Sequence, residues 1–151
     1  FEPVVRQKIA EIGSEIITIT FAPDDESFIA DVIRELAARG ADLIVTTGGM
    51  SVDPDDVTPA GIKKAGAIIT AYGSSVLPGA MFLMGYLGDI PIMGIPACGM
   101  YHRITIFDLL LPRVLAGEKI GRMEVAKLGH GGLCLDCQTC EYPHCGFGKG
   151  A

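Results

Sequence analysis

The run DLIVTT at residues 42–47 is the feature that most narrows what this chain can fold into. It is almost continuously apolar, without the alternation of a strand that keeps one wet face. It therefore reads as a parallel strand covered by helices on both sides. The flanking segments agree with that reading. Phe28, Ile29, Val32, Ile33 and Leu36 form one stripe at helical spacing, with Arg34 and Glu35 off it and Gly40 where a helix ends. Upstream, Val5, Ile9 and Ile12 predict a helix over 3–12, stopped by Gly13. Residues 15–21, rich in β-branched Ile and Thr, predict a strand that ends at Pro23 before Asp24 caps the next helix. Downstream, Thr58 and Pro59 read as the cap and first turn of a helix through 65, and residues 67–72 as a strand. Residues 81–86 and 90–95 read as a hairpin around Gly88-Asp89, and 101–115 as a buried helix interrupted or kinked near Pro112. The alternation predicts an α/β fold, a doubly wound, mostly parallel sheet with helices on both faces. Ligands of such sheets bind beyond the carboxyl ends of the strands.

Composition bounds the function. A chain that is 49% hydrophobic and 20% charged is not disordered, and 151 residues make one main domain. Twelve Lys and Arg against eighteen Asp and Glu give a net charge of −6, so no overall field draws nucleic acid or an anionic membrane. No apolar run approaches the roughly 18 residues that span a bilayer, and no leader opens the sequence; a cytoplasmic location is expected. Phe1 in place of Met suggests an excised fragment. The chain divides near residue 120: residues 1–120 carry the α/β pattern, whereas 121–151 hold four of the five Cys and two of the three His among many Gly, a short irregular tail.

The loop after the DLIVTT strand is the first chemical signal. Gly48 and Gly49 permit close backbone approach to an anion, Ser51 and Thr58 add hydroxyls, and Asp53, Asp55 and Asp56 crowd three carboxylates into four residues. Carboxylates there would repel a phosphate unless a hard cation such as Mg²⁺ lay between. The loop is either a phosphate and metal site or a solvated acidic turn in which Asp56 or Thr58 caps the following helix.

TGGMSVDPDDVTP at residues 47–59 resembles the signature of the molybdopterin-binding domain of molybdenum cofactor biosynthesis. Leu77-Pro78-Gly79 and Gly94-Ile95-Pro96 resemble the family's later Pro-Gly elements, and the likeness extends over about residues 1–118. Such domains occur in molybdopterin adenylyltransferases and molybdotransferases, and a related form occurs in the competence-damage family. The resemblance implies a homo-oligomer, often a trimer, that binds molybdopterin through its pterin phosphate with Mg²⁺. Gly48, Gly49 and Ser51 would line the ligand and Asp56 would be the essential, catalytic carboxylate, with Asp53, Asp55, Thr58, Pro96 and Cys98 as further binding residues. The family's first strand, with its Thr-Gly-Asn/Asp-Glu loop, has no counterpart here. Pro96-Ala97-Cys98 departs from the usual Gly-Asn-Pro or Gly-Ser-Pro, and Ala80-Met81 from Lys-Pro. These departures favour ligand binding over independent catalysis; the alternative is a sensing or redox module whose pterin site is degraded. Cys98 is either a ligand-facing thiol or packing, and His102 and Arg103 are either anion contacts or surface residues.

The tail is the second signal. Cys134-x2-Cys137-x2-Cys140-x4-Cys145 gathers four thiols within twelve residues, a pattern for a metal. The x2-x2 run is similar to a ferredoxin-type arrangement for an iron–sulfur cluster, while Zn²⁺ is the other candidate, with His130 or His144 as substitute ligands.

Overall fold

A computed structural model describes residues 1–51, 53 and 55–150; Val52 and Pro54 of the acidic loop, and Ala151, lie outside the described residues. The element order is α1 (Glu2–Glu11), α2 (Glu26–Ala38), β1 (Ile44–Thr47), α3 (Thr58–Lys64), β2 (Ile68–Tyr72), β3 (Leu83–Leu87), β4 (Ile90–Ile95), α4 (Ile106–Leu115) and α5 (Arg122–Lys127). Short 3-10 turns lie at Ala97–Met100 and Leu128–Gly131.

The four strands form one sheet in the order β1-β4-β3-β2. β1 runs parallel to β4, with Thr47 opposite Ile95, so the two carboxyl ends stand side by side. The sheet is mixed rather than mostly parallel, because β3 pairs antiparallel with both β4 and β2. The cause is local: Gly88-Asp89 is a two-residue connection, too short for a crossover, so β3 and β4 must form a hairpin.

Side chains alternate across the sheet. Ile44, Leu83 and Ile92 enter a core with Ile29 and Ile33 of α2 and Ile62 of α3. Val45, Met84 and Met93 face the opposite way, toward Ile9 of α1, Phe107, Leu110 and Leu111 of α4, and Val125 of α5. Helices therefore cover both faces, as the apolar DLIVTT run requires.

Several boundaries differ from expectation. Asp25, not Asp24, caps α2, its carboxylate accepting the Phe28 amide at 2.7 Å. Residues 15–21 form no strand: they pair with nothing in the sheet, and Ile17 and Phe21 stand 54% and 82% exposed. β propensity alone does not make a strand where no ladder receives it. The helix expected from residue 101 starts at Ile106, where Thr105 and Asp108 form a capping box. Pro112 does not interrupt α4, which continues to Leu115. Proline there removes one backbone donor and crowds the Asp108 carbonyl, yet its own carbonyl still accepts the Ala116 amide at 3.0 Å. Lys8 of α1 reaches Asp108 at 2.5 Å and the Arg103 carbonyl at 2.6 Å, locking α1 against the start of α4.

The tail packs onto the same core. Leu128 and Phe147 are buried against it, and Leu133 makes a parallel bridge to Leu77. No helix among the described residues is long and apolar enough to cross a membrane.

Candidate functional site

β1 delivers the glycine loop at its carboxyl end. Gly48 and Gly49 both take positive φ, 82° and 56°. At Gly49 a side chain is excluded twice over, because a Cβ would also lie 2.5 Å from Thr58 Oγ1. The Thr58 hydroxyl donates to the Gly48 carbonyl at 3.0 Å and the Thr58 amide to the Gly49 carbonyl at 3.3 Å, so the loop folds back onto the start of α3. Neither Thr58 nor Asp56 caps α3, which has no side-chain cap. Instead, the half-buried Asp56 carboxylate accepts the backbone amide of Ser51, bracing the loop from inside. Tyr72 holds the other side, its hydroxyl donating to the Ser51 carbonyl at 3.3 Å. Burial, and then the charge of Asp56, push the Tyr72 phenol above its ordinary value, which keeps it a neutral donor. Asp53 is likewise engaged in the loop, accepting the Asp55 amide at 3.0 Å.

Beyond the paired ends of β1 and β4 lies a cavity of about 440 Å³, lined by Ser51, Pro78, Gly79, Pro96, Cys98 and His102 among others. Three segments far apart in sequence thus meet where an open α/β sheet places its ligands. Met50, Leu77 and Met81 add apolar wall, and the tail contributes Leu133, Cys134 and Asp136. Of the loop and binding residues expected from the family resemblance, Ser51, Pro96 and Cys98 line this cavity. Gly48, Gly49, Asp53, Asp55, Asp56 and Thr58 do not, and act on it through the loop that carries Ser51. The contributions of Met50 and of the tail were not visible in the sequence: Met50 sits between loop residues, and nothing local says that residues 133–136 return to the sheet.

Burial is the main force on Cys98, pushing its thiol up, with surrounding backbone hydrogen bonds only partly opposing it. It is therefore a protonated, weakly polar wall residue at neutral pH. His102 lies on the turn ahead of α4 and lines the cavity; Arg103, beside it, does not. In the tail, Cys134, Cys140 and Cys145 are half-buried, Cys137 is exposed, and all are free thiols. His130 and His144 are exposed. Among the described residues, no three His, Cys, Asp or Glu side chains converge closely enough to hold a single metal ion, either at the acidic loop or in the tail.

Residues 1–116 match the model of the family described as probable molybdopterin binding domain. The chain is 29% identical over 118 residues to the molybdopterin molybdenumtransferase of Haemophilus influenzae, covering 76% of this chain and 28% of that protein. It is also 39% identical over 62 residues to a CinA-like protein of a Mycobacterium species, covering 41% of this chain and 15% of that one. The fold is similar to that of the molybdopterin biosynthesis enzyme MoaB of Thermus thermophilus, with a TM-score of 0.62 and 23% identity over 77% of this chain and 80% of that one. This chain thus spans less than a third of the first two relatives, and its last 35 residues, with the four-cysteine tail, lie outside the matched region. A match over most of the chain shows the family: the chain belongs to the probable molybdopterin binding domain family.

Proposed function

We propose that this chain binds molybdopterin, or a closely related pterin or nucleotide phosphate, in the cavity beyond β1 and β4, as part of molybdenum cofactor biosynthesis or handling. The observation that carries the reading is the meeting of Ser51, Pro78-Gly79 and Pro96-Cys98 around one cavity of about 440 Å³. That size lies within the roughly 300–1,000 Å³ of small-molecule sites. Family membership and the names of the relatives support the choice of ligand.

Each wall has a task in this reading. Met50, Leu77 and Met81 offer apolar surface to a flat pterin ring, while Ser51, His102 and the backbone around Gly79 face its polar edges and phosphate. Asp56 is a positioning residue: its carboxylate fixes the Ser51 amide, and with it the direction of the Ser51 side chain. The carboxylates a Mg²⁺ ion would use do not gather at one point among the described residues, so the reading rests on the cavity and not on the ion. With Cys98 protonated by burial and Asp56 engaged by the loop, the site has the chemistry of a holder more than of a nucleophile or general base.

Titrating the purified chain with molybdopterin, followed by pterin fluorescence, tests this. Saturable binding is expected. Asp56→Ala should weaken it about tenfold, the scale of one lost hydrogen bond to a charged group, and Asp56→Asn, which keeps an acceptor oxygen, should weaken it less. Absence of binding, or equal affinity in Asp56→Ala and in a bulky Ser51→Phe variant, would remove the ligand from this cavity.

A further inference from the structure

A second cavity, of about 520 Å³, lies under the tail beside the first; Leu133, Cys134, Asp136 and His102 line both. All four tail cysteines, Cys134, Cys137, Cys140 and Cys145, line it. The family match covers residues 1–116 and does not include these cysteines.

The loop that carries these thiols is closed at its base by contacts outside it. On the entering side, the Leu77 amide donates to the Gly132 carbonyl at 2.6 Å and the Cys134 amide to the Leu77 carbonyl at 2.8 Å. On the leaving side, Phe147 is 4% exposed in the main core. The two sides are tied together where the Gly148 amide donates to the Gly131 carbonyl at 2.9 Å. They lie so close that a Cβ on Gly131 would stand 2.5 Å from the carbonyl oxygens of both Gly146 and Lys149. Within the loop, the His144 amide donates to the Glu141 carbonyl at 2.8 Å, turning the chain between Cys140 and Cys145. Packing elsewhere thus closes the loop and brings the four cysteines to the wall of one cavity.

We propose that this cavity is an iron–sulfur cluster site, with Cys134, Cys137, Cys140 and Cys145 as the thiolate ligands of a [4Fe–4S] centre. Four soft sulfur donors select zinc or iron–sulfur chemistry over hard cations. The spacing of the run and the room between its members favour the cluster. A zinc ion needs every sulfur about 2.3 Å from one point. A cubane takes each sulfur at its own iron corner, so its ligands surround a volume. Here all four cysteines line the wall of one cavity of about 520 Å³, a volume rather than a point. The C-x2-C-x2-C run supplies three neighbouring corners in the manner of ferredoxin-type loops, and Cys145 returns from the far side of the turn as the fourth. Ile104, Tyr142 and Phe147 give the void an apolar lining that limits water at the sulfurs. This assignment stands on the tail alone and is independent of the pterin reading.

The test is metal and sulfide analysis of the full chain handled anaerobically, as purified and after reconstitution with ferrous iron and sulfide. The expected result is about four iron and four acid-labile sulfide per chain with broad visible absorbance. Cys137→Ser and Cys140→Ser should lose most of both, whereas Cys98→Ser, in the neighbouring cavity, should retain them. Cys137 is exposed, so its variant stays folded by circular dichroism and its metal loss reports ligation. One zinc per chain without sulfide would overturn the proposal. So would neither metal after reconstitution, or iron retained in both tail variants.

Discussion

Asp56 and Thr58 each take one loop partner out of several that their spacing allows. Asp56 lies just before α3 and Thr58 opens it, and the sequence leaves each as a ligand contact or as the cap of α3. The structure uses them to shape the loop, Thr58 on the Gly48 carbonyl and Asp56 on the Ser51 amide. Sequence spacing brings several backbone groups within reach of one short polar side chain, and only the folded loop decides which is taken. Gly49 is the sharpest residue-scale test. Alanine there meets Thr58 Oγ1 at 2.5 Å and must hold φ near 56°, so Gly49→Ala should destabilise by about 1–3 kcal/mol, read by thermal melting. Thr58→Val combined with it should recover little, since the backbone strain remains. Cys98 gives a pH signature. Burial raises its folded value above the ordinary 9.0, so its contribution to stability is intact below that value and lost as pH climbs through the raised one. Cys98→Ala should flatten the alkaline fall in melting temperature; an unchanged fall would assign it to another group.

At the scale of elements, the periodic segments were legible and the unsupported ones were not. The α2 stripe and the β3–β4 hairpin signal are self-contained, and both elements form. Residues 15–21 have equal local propensity, yet a strand also needs a partner, and no local pattern encodes which edge will receive it. The mixed sheet follows from a connection length that was in plain view, Gly88-Asp89, and outweighs the general expectation of parallel pairing. The start of α4 depends on a contact invisible in sequence. Lys8 and Asp108 are separated by 100 residues, only 11% and 13% exposed, and Asp108 also caps its helix. Removing one partner leaves the other charge poorly solvated. Lys8→Met should therefore cost about 3 kcal/mol in urea unfolding, and Lys8→Arg appreciably less. Equal stability of Lys8→Met and the parent would mean that the pair does not hold α1 in solution.

At the scale of the whole molecule, the tail completes the wall of the cavity beyond β1 and β4. The composition shift near residue 120 marked a change of character, but it carried no information on where the tail would dock, because Phe147 is a lone aromatic among glycines. Its burial in the main core brings Leu133, Cys134 and Asp136 into the wall beside Ser51 and Cys98. Phe147→Ala should destabilise by about 3 kcal/mol and release the tail, so that backbone amides over 133–148 exchange faster than those of β3 and β4. The same variant should bind molybdopterin more weakly without any change at the Ser51 loop. The central claim is a composite pocket built from the β1 loop, the Pro78-Gly79 and Pro96-Cys98 turns, and the tail. It is tested most directly by hydrogen–deuterium exchange of the intact chain with and without saturating molybdopterin. Slowed exchange at residues 48–51, 77–81, 96–98 and 133–136 together is the predicted footprint. Protection confined to other surfaces, or no change at any of these four segments, would contradict it.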